Sequence, residues 1–412
     1  MVEIGLDGRT KGVVMSSYIR VKLKPKEEDR LLAGHPWVFA NEVEKAPKTL
    51  SPGTLVEVMT SKGQPVGRGV ASPTSKILVR LLTRGFEQEL DEAFIADRVL
   101  KALALRKGFE EKYQTNGIRL LFGEGDGLPG IIADAFGEDQ VVLSCFSGGL
   151  KPFMPVISKT LQEKGYKHVY EKSVGEICQK EGMPEFQGWL TEPGKLPMPF
   201  REGRAQFQAR PDQGQKTGFY LDFREARSRI QALSKGKTLL DAFCYTGAVS
   251  IQAALGGAKD VLAMDSSQGA LDEASENAKR NGVEGNIHFE KGDSFRAFKE
   301  FKKGGHMFDG IILDPPPMAK SVHDLPAART ALKSLLGHSL DMLNPGGFVV
   351  VGTCSHHFSW TLLEGVTRDT VEESGRSFRL LERLTQPQDH PINVSIPETE
   401  YLRTLILSEV SY

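Results

Sequence analysis

The residue with the most distinctive chemistry is Cys354, in the segment TCSHH at 353–357. The apolar run GGFVVVG precedes it, so the cysteine is expected where a buried strand ends. Free cysteines are usually inert packing groups. A cysteine at a strand exit, followed by Ser355 and two histidines, is better placed to act as a nucleophile.

A second reactive segment is LDPPPMAK at 313–320, where Asp314 follows an apolar run and Pro315 follows Asp314. Prolines remove backbone donors and fix the chain, so a carbonyl group and the Asp314 carboxylate can both face a planar ring. The alternative is that the prolines only break a strand. The neighbouring motifs favour the first interpretation.

Three more carboxylates stand at predicted strand ends: Asp241 in DAFCYTGAVS, Asp265 in VLAMDSS and Asp293 in KGDS. Gly247 lets the backbone turn into a helix, but a single glycine is not the GxGxxG loop that cradles a pyrophosphate. A dinucleotide is therefore disfavoured. Asp265 has the spacing of a ribose-binding carboxylate, or it only ends a strand. Asp293 could accept from an adenine amino group, or it only caps the next helix.

The elements that position these residues alternate between strand and helix from residue 224 onward. Buried strands are predicted in TLLDAF, VLAMD, NIHFEKGD, FDGIILD and GGFVVVGTCS, with helical periodicity between most of them. This alternation predicts a doubly wound α/β domain with a parallel sheet covered on both faces. Such sheets bind ligands at the carboxyl ends of their strands.

The first half of the chain predicts two smaller units. The segment IRVKLKPK at 19–26 alternates apolar and basic residues, and further short strands follow up to Thr83, which favours a small β barrel or sandwich. A helix is predicted over 88–108, and an antiparallel meander over the segment from IRLLF to VVLSCF. The expected organisation is an N-terminal extension over 1–17, a β domain over 18–84, a central α+β domain over 85–197 and the catalytic domain over 198–412.

Composition agrees with several compact domains. A chain of 412 residues exceeds one ordinary core, and 40% hydrophobic with 25% charged residues is typical of globular proteins. The four cysteines form no CxxC pair, so no metal site or disulfide framework is predicted and a reducing cytoplasm fits best. No segment approaches the length of a membrane helix or signal peptide.

The motif series resembles a known family. DAFCYTG, MDSS, GDS, DPPP and TCS, together with QKTGFYLDFR at 215–224 and DHPINVSIPETEYL, are similar to the bacterial PUA-domain ribosomal RNA 5-methylcytosine methyltransferases. The resemblance covers nearly the whole chain, because KLKPKEEDRLLAGHPWVFANEV is similar to the PUA-like RNA-binding module and GDGLPGIIAD to the central domain. It implies a Rossmann-like class I methyltransferase domain at the C-terminal end.

The resemblance also implies roles for individual residues. Residues that would hold S-adenosylmethionine are Phe219, Tyr220, Asp241, Phe243, Tyr245, Gly247, Asp265, Ser266, Asp293, Asp314 and Pro315. Phe219 and Tyr220 would close over the cofactor. Cys354 would be the nucleophile, and Asp314 would serve catalysis as well.

The implied chemistry is covalent. Carbon 5 of cytosine becomes nucleophilic after a thiolate adds to carbon 6, and Asp314, in its protonated form, would donate to nitrogen 3. The base that removes the proton from carbon 5 has no candidate in the sequence. Two departures from related enzymes are Pro317, where another 5-methylcytosine branch has a second cysteine, and Phe223, where the family more often has glutamine.

The resemblance implies that the partner is RNA, specifically 23S ribosomal RNA, and that the protein forms homodimers, and no membrane is expected. A basic strand face could contact phosphates, or could only protect an edge strand from aggregation. Its residues are Arg20, Lys22, Lys24 and Lys26.

Three alternatives stand beside this interpretation. A guanine-nitrogen methyltransferase of the same architecture would need no thiol, and a non-catalytic RNA-binding assembly factor could retain the fold. A nicotinamide enzyme lacks the glycine fingerprint. The residues alone do not identify the modified nucleotide. They also leave open whether the substrate is ribosomal RNA or transfer RNA.

Overall fold

The computed structural model describes residues 18–319 and 321–410, and the expected extension over residues 1–17 lies outside these ranges. The strands are β1 Ile19–Lys22, β2 Trp37–Phe39, β3 Leu55–Met59, β4 Pro65–Ala71, β5 Ile77–Leu81, β6 Gly117–Phe122, β7 Ile131–Phe136, β8 Gln140–Cys145, β9 His168–Ser173, β10 Phe186–Trp189, β11 Met198–Glu202, β12 Ala205–Ala209, β13 Thr238–Asp241, β14 Asp260–Asp265, β15 Ile287–Lys291, β16 Phe308–Leu313, β17 Leu343–Thr353, β18 Phe378–Leu384 and β19 Arg403–Glu409. The helices are α1 Asp29–Leu32, α2 Glu92–Leu105, α3 Phe109–Tyr113, α4 Met154–Glu163, α5 Glu176–Glu181, α6 Arg224–Leu233, α7 Ala248–Leu255, α8 Gln268–Arg280, α9 Ser294–Lys303, α10 Leu325–Asp341 and α11 Trp360–Ser374.

The N-terminal unit is a five-stranded sheet in the order β1-β3-β4-β5-β2. Its first strand alternates as predicted, because Val21 and Leu23 are fully buried while Arg20 and Lys22 are exposed. An isolated antiparallel bridge joins Leu23 to Val43, beyond the end of β2, so the two edges of the sheet approach each other. The sheet therefore curls towards the predicted barrel.

The central unit is a second five-stranded sheet, in the order β10-β9-β8-β7-β6. The predicted meander is confirmed, since β6, β7 and β8 pair in antiparallel fashion. The chain then crosses over through α4, and β9 joins β8 in parallel. The helix predicted over 88–108 is α2, which begins at an N-cap formed by Asp91.

The C-terminal unit is a seven-stranded sheet in the order β15-β14-β13-β16-β17-β19-β18. Its first five strands are parallel, as predicted, with all their ligand-facing exits on one edge. Two further strands, which the sequence analysis did not predict, extend the sheet at the other end, where β19 runs antiparallel to both β17 and β18. The strand β18 has the sequence FRLLERL and is largely exposed, so it lacks the continuous apolar pattern of a buried strand.

Helices cover both faces of this sheet, and two separate apolar cores result. One core also includes Phe136 of β7 and Tyr170 of β9 from the central sheet, together with Phe207 of the β11–β12 hairpin. The central and C-terminal units therefore share packed apolar surface. Within the described ranges, no helix is both long and apolar enough to cross a bilayer.

Buried ion pairs fasten the same junction. Glu202, on β11, accepts from Arg227 Nε at 2.7 Å and from Arg224 Nε at 3.3 Å. Burial opposes ionisation of Glu202, but the charges of Arg227 and Arg224 hold its pKa below its usual range. Arg224 also donates to Asp389 at 3.1 Å, so the C-terminal part of the chain is tied to the start of α6.

Candidate active site

A cavity of about 460 Å³ opens at the carboxyl ends of the parallel strands. Loops after β13, β14, β15, β16 and β17 all contribute to it, as does the segment 215–223 that precedes α6. The predicted site residues that line it are Phe219, Tyr220, Phe243, Tyr245, Asp265, Ser266, Asp293, Asp314, Pro315 and Cys354. The strand exits therefore converge on one space, as expected for a doubly wound sheet.

Asp265 connects two of the loops that border the cavity. Its Oδ2 accepts from the backbone N–H of Tyr245 at 3.0 Å, and its Oδ1 accepts from the N–H of Ser267 at 2.8 Å. Ser267 in turn caps α8. The Asp265 carboxylate ends a strand and also faces the cavity. Its position thus agrees with both sequence interpretations, a strand end and a ribose-binding carboxylate.

Asp293 is likewise a cap and a lining residue. Its Oδ1 accepts from the N–H of Arg296 at 3.1 Å, which closes the first turn of α9. The next residue, Ser294, donates to the carbonyl oxygen of Ala242 and so joins this exit to the one after β13. Phe295, which the sequence analysis did not single out, lines the same cavity and is 38% exposed.

Asp241 and Gly247 lie behind the cavity rather than on its surface. Asp241 is 2% exposed and accepts from Ser250 Oγ at 2.7 Å, and burial raises its pKa to about 6. Gly247 has φ +80° and precedes α7, and a Cβ at this position would lie 2.9 Å from the Cβ of Ala274. Both residues shape the loop whose Phe243 and Tyr245 reach the cavity.

Phe219 also has a different position from the one its proposed lid function requires. Its side chain is 2% exposed, and its ring centroid lies 4.8 Å from that of Phe200 and 5.1 Å from that of Phe207. The ring is therefore packed into the hairpin β11–β12 and supports the segment from behind. Tyr220 is partly exposed and meets Tyr245 edge to face at 5.2 Å.

Asp314 and Cys354 face the cavity from adjacent strands, β16 and β17. Burial, followed by the charge of Asp222, raises the pKa of Asp314 to about 7. Burial, followed by the charge of Asp314, raises the pKa of the Cys354 thiol to about 12. The carboxyl group can thus exchange a proton near neutral pH, whereas the thiol holds its proton in the free protein.

A group that the sequence analysis missed lies beside these two residues. Lys216 lines the cavity, and its Nζ donates to Asp222 Oδ2 at 2.7 Å. Tyr401 donates to the same oxygen at 2.6 Å. Burial opposes ionisation of Asp222, but the Lys216 charge keeps its pKa below the usual range. Lys216 and Asp222 both belong to the QKTGFYLDFR motif, so a search of that motif for oppositely charged pairs would have found them.

The basic face of β1 is exposed but has partners within the chain. Arg20 pairs with Glu57 at 3.4 Å, and Lys22 with Glu44 at 3.2 Å. Lys24 donates to the carbonyl oxygen of Asn41 at 2.7 Å. Lys26 is exposed and has φ +71°. These charges are accessible to a polyanion, although local acids already offset two of them.

Two family models match the chain. One describes a PUA-like domain and matches residues 21–84, and the other describes an S-adenosylmethionine-dependent methyltransferase and matches residues 189–404. The chain belongs to the S-adenosylmethionine-dependent methyltransferase family. The chain is therefore a methyltransferase, and S-adenosylmethionine is its methyl donor.

Relatives of this methyltransferase match over almost their whole length. A protein named ribosomal RNA large subunit methyltransferase I from Shewanella amazonensis is 34% identical over 391 residues, which is 94% of this chain and 98% of that protein. A protein with the same name from Aeromonas hydrophila is 34% identical over 387 residues, 92% of this chain and 96% of that protein.

Solved structures share the fold. A candidate S-adenosylmethionine-dependent methyltransferase from Streptococcus mutans superposes with a TM-score of 0.81 at 20% identity, covering 95% of this methyltransferase and 100% of that chain. A candidate methyltransferase complexed with SAH gives the same TM-score, identity and coverage. At this level of identity the likeness shows that the three-unit architecture is shared.

Proposed function

We propose that the protein methylates carbon 5 of a cytosine in large-subunit ribosomal RNA through a covalent adduct with Cys354. The observation that carries the proposal is that Cys354 and Asp314 line one cavity together with the residues suited to the methyl donor. The names of the relatives support large-subunit ribosomal RNA as the substrate, and the PUA-like domain supports binding of RNA.

The cavity fits the donor by its chemistry. We propose that the Asp265 carboxylate accepts from ribose hydroxyl groups and that Asp293 accepts from the adenine amino group, with the partly exposed ring of Phe295 against the adenine face. Tyr220, Phe243, Tyr245, Ser266 and Pro315 complete the lining. When bound, the donor supplies an electrophilic methyl group on a sulfonium.

Asp314 and Cys354 can share one proton during the reaction. The ionised Asp314 carboxylate takes the proton from Sγ of Cys354, the thiolate forms a bond to carbon 6 of cytosine, and Asp314 then gives the same proton to nitrogen 3. A carboxyl pKa of about 7 suits both steps, because the group is partly ionised and partly protonated at neutral pH. After methylation, solvent takes the proton from carbon 5, the double bond between carbons 5 and 6 re-forms as the bond between carbon 6 and Sγ breaks, and the proton on nitrogen 3 returns through Asp314 to the thiolate.

Lys216 stabilises the anionic forms of both groups. Its positive charge lowers the pKa of Cys354 and of Asp314, which offsets part of the penalty of burial. Pro317 stands where another branch has a second cysteine, so product release depends on the groups already present in this cavity.

The test is methyl transfer to a protein-free 23S ribosomal RNA transcript by Cys354→Ala. We expect turnover to fall by several orders of magnitude, while calorimetric titration shows unchanged affinity for S-adenosylmethionine. Mass spectrometry of the digested nucleosides should show 5-methylcytosine with the wild type. The matched control is Cys178→Ala, which removes a buried thiol on α5 that lies outside the cavity.

One observation favours a second candidate, a guanine-nitrogen methyltransferase. A thiol whose pKa is about 12 is poorly suited to act as a nucleophile, and a nitrogen atom that attacks the methyl group directly needs no thiolate. Full turnover by Cys354→Ala, with methylguanine among the products, would replace the cytosine proposal by this one.

A further inference from the structure

A second cavity, of about 440 Å³, lies where three parts of the chain meet. The N-terminal sheet provides residues 31–36 and 81–84, the helix α2 provides one wall, and the central unit provides residues 124–129. Asn393 and Ile396 close it from the C-terminal part of the chain. None of the residues that line the active-site cavity belongs to it.

The cationic groups of this cavity are Arg84, Arg98 and Lys101. Lys101 pairs with Asp97 at 2.7 Å. Arg98 Nη2 donates to the carbonyl oxygen of Leu82 at 2.9 Å, and Arg84 Nη1 donates to that of Leu31 at 3.2 Å. Within residues 18–319 and 321–410, no carboxylate lies within ion-pair distance of either guanidinium.

The two acids that line the cavity are already engaged elsewhere. Asp126 accepts from Arg106 at 2.6 and 2.7 Å, in a buried bidentate pair. Glu124 accepts from Nε1 of Trp37 at 2.8 Å. His35 also lines the cavity, and its Nε2 lies 3.1 Å from Oε2 of Glu398. Neither guanidinium group is thus paired with a carboxylate of this cavity, and Glu124, which accepts only from neutral N–H groups, keeps its negative charge there.

The remaining lining is largely aliphatic, with Leu31, Pro36 and Leu81 on one side and Leu105 on another. Leu105 is 73% exposed at the end of α2, so its side chain is accessible to a ligand. A space with aliphatic walls and guanidinium groups suits a ligand that combines a flat apolar ring with an anion. An unstacked nucleotide has both parts.

A continuous segment joins this cavity to the active site. Ile396 lines the second cavity and Leu402 lines the first, and the chain between them can span at most about 20 Å when fully extended. Along the segment, Glu398 contacts His35, and the Tyr401 ring lies 5.7 Å from the ring of His356, two residues after Cys354. A strand of RNA that enters the active site can therefore reach the second cavity within a few nucleotides.

We propose that the second cavity binds one unstacked nucleotide of the RNA substrate, with Arg84 and Arg98 on its phosphate and the aliphatic walls on its base. This inference rests on the proposed function, because the ligand is a neighbour of the methylated nucleotide. Holding a flanking nucleotide would position the target base, which must leave its stack before a thiol can reach it.

The test uses the full chain with Arg84→Met and Arg98→Met, singly and together, because methionine keeps an apolar side chain and removes the charge. Filter binding of a protein-free 23S ribosomal RNA transcript should show an affinity loss of about tenfold or more for the double variant. The slope of affinity against salt should fall by about 0.7 for each lost phosphate contact to a single strand. The control is Arg379→Met, an exposed arginine on the edge strand β18.

Two further measurements separate the possible failures. Arg98→Lys keeps a charge and a donor for Leu82, so it should retain most of the RNA affinity, and melting temperatures show whether the methionine variants fold. If the double variant binds RNA with the same affinity and salt slope as Arg379→Met, the cavity proposal is wrong even though methylation continues. If the wild type fails to methylate the transcript while the double variant loses affinity for it, the proposed function is wrong and the nucleotide site stands.

Discussion

At the scale of single residues, burial sets the protonation of the two groups that would do the chemistry. Asp314 has a pKa near 7 because water is largely excluded and Asp222 adds a second negative charge, while Lys216 and Arg227 act in the opposite direction. Burial also raises the pKa of the Cys354 thiol, to about 12. At neutral pH the thiol therefore stays protonated, while Asp314 is present in both its ionised and its protonated form.

The Asp314 carboxyl group should make stability depend on pH. Its folded pKa of about 7 lies above its ordinary value of 3.8, so between these values the folded protein holds a proton that the unfolded chain has lost. The free energy of unfolding that the protonated Asp314 contributes is fully present below pH 3.8. It is lost as the pH rises from there through about 7. Asp314→Asn keeps a neutral side chain at every pH. We expect the melting temperature of the variant to exceed that of the wild type by several degrees more at pH 8 than at pH 5, because only part of this stability is lost at pH 5.

The measurement is thermal unfolding at the two pH values, together with methyl transfer, which Asp314→Asn should abolish. Asp369→Asn is the control, because Asp369 is only partly buried and pairs with Arg329 near the surface. A difference in melting temperature that is the same at pH 5 and pH 8 would mean that Asp314 is ionised in the folded protein throughout this range.

At the scale of elements, the site consists of short turns after parallel strands, and sequence patterns identify such turns well. Strands β13, β14, β16 and β17 are apolar runs that end in a polar residue, so their exits could be predicted from periodicity and turn residues alone. The strand β18 could not be predicted in this way, because it is largely exposed and contains charged residues. The position of Phe219 could not be predicted either, since its burial depends on the separate hairpin β11–β12.

The turn between β13 and α7 depends on Gly247. The residue has φ +80°, and a Cβ there would lie 2.9 Å from that of Ala274 on α8. We expect Gly247→Ala to cost about 1–3 kcal/mol of stability and to weaken S-adenosylmethionine binding, because Phe243 and Tyr245 would shift with the loop.

Gly236→Ala is the matched control. Gly236 also has a positive φ, +72°, but within residues 18–319 and 321–410 no neighbouring atom lies within 4 Å of the position of its Cβ. This substitution should cost about 1 kcal/mol from backbone strain alone and leave cofactor affinity unchanged. Urea unfolding and calorimetric titration measure both effects. Equal losses for the two variants would show that the contact with α8 is unimportant.

At the scale of the whole molecule, buried charges join units that are far apart in the chain. Asp389 is 1% exposed and accepts from Arg224 of α6 at 3.1 Å and from the backbone N–H of Arg119, on β6, at 3.0 Å. Arg106, at the end of α2, donates to the Asp389 carbonyl oxygen at 2.8 Å. Arg106, Arg119 and Arg224, which precede Asp389 by 283, 270 and 165 residues, thus all meet this one residue. No local pattern in the sequence indicates such a meeting.

Removing that carboxylate should destabilise both units together. Asp389→Ala leaves Arg224 buried with one partner fewer, and breaking a buried pair in this way costs about 3–5 kcal/mol. Asp369→Ala removes an aspartate from a surface pair with arginine, which should cost at most about 1 kcal/mol.

Calorimetry of the full chain should show one unfolding transition in each variant, because the central and C-terminal units share one apolar core. Only the transition of Asp389→Ala should shift strongly. The segment that begins at Asp389 also leads to Tyr401 and Leu402 at the active site. The rate of methyl transfer should therefore also be lower in Asp389→Ala. Two separate transitions, of which only one moves, would show that the units fold independently in spite of their common core.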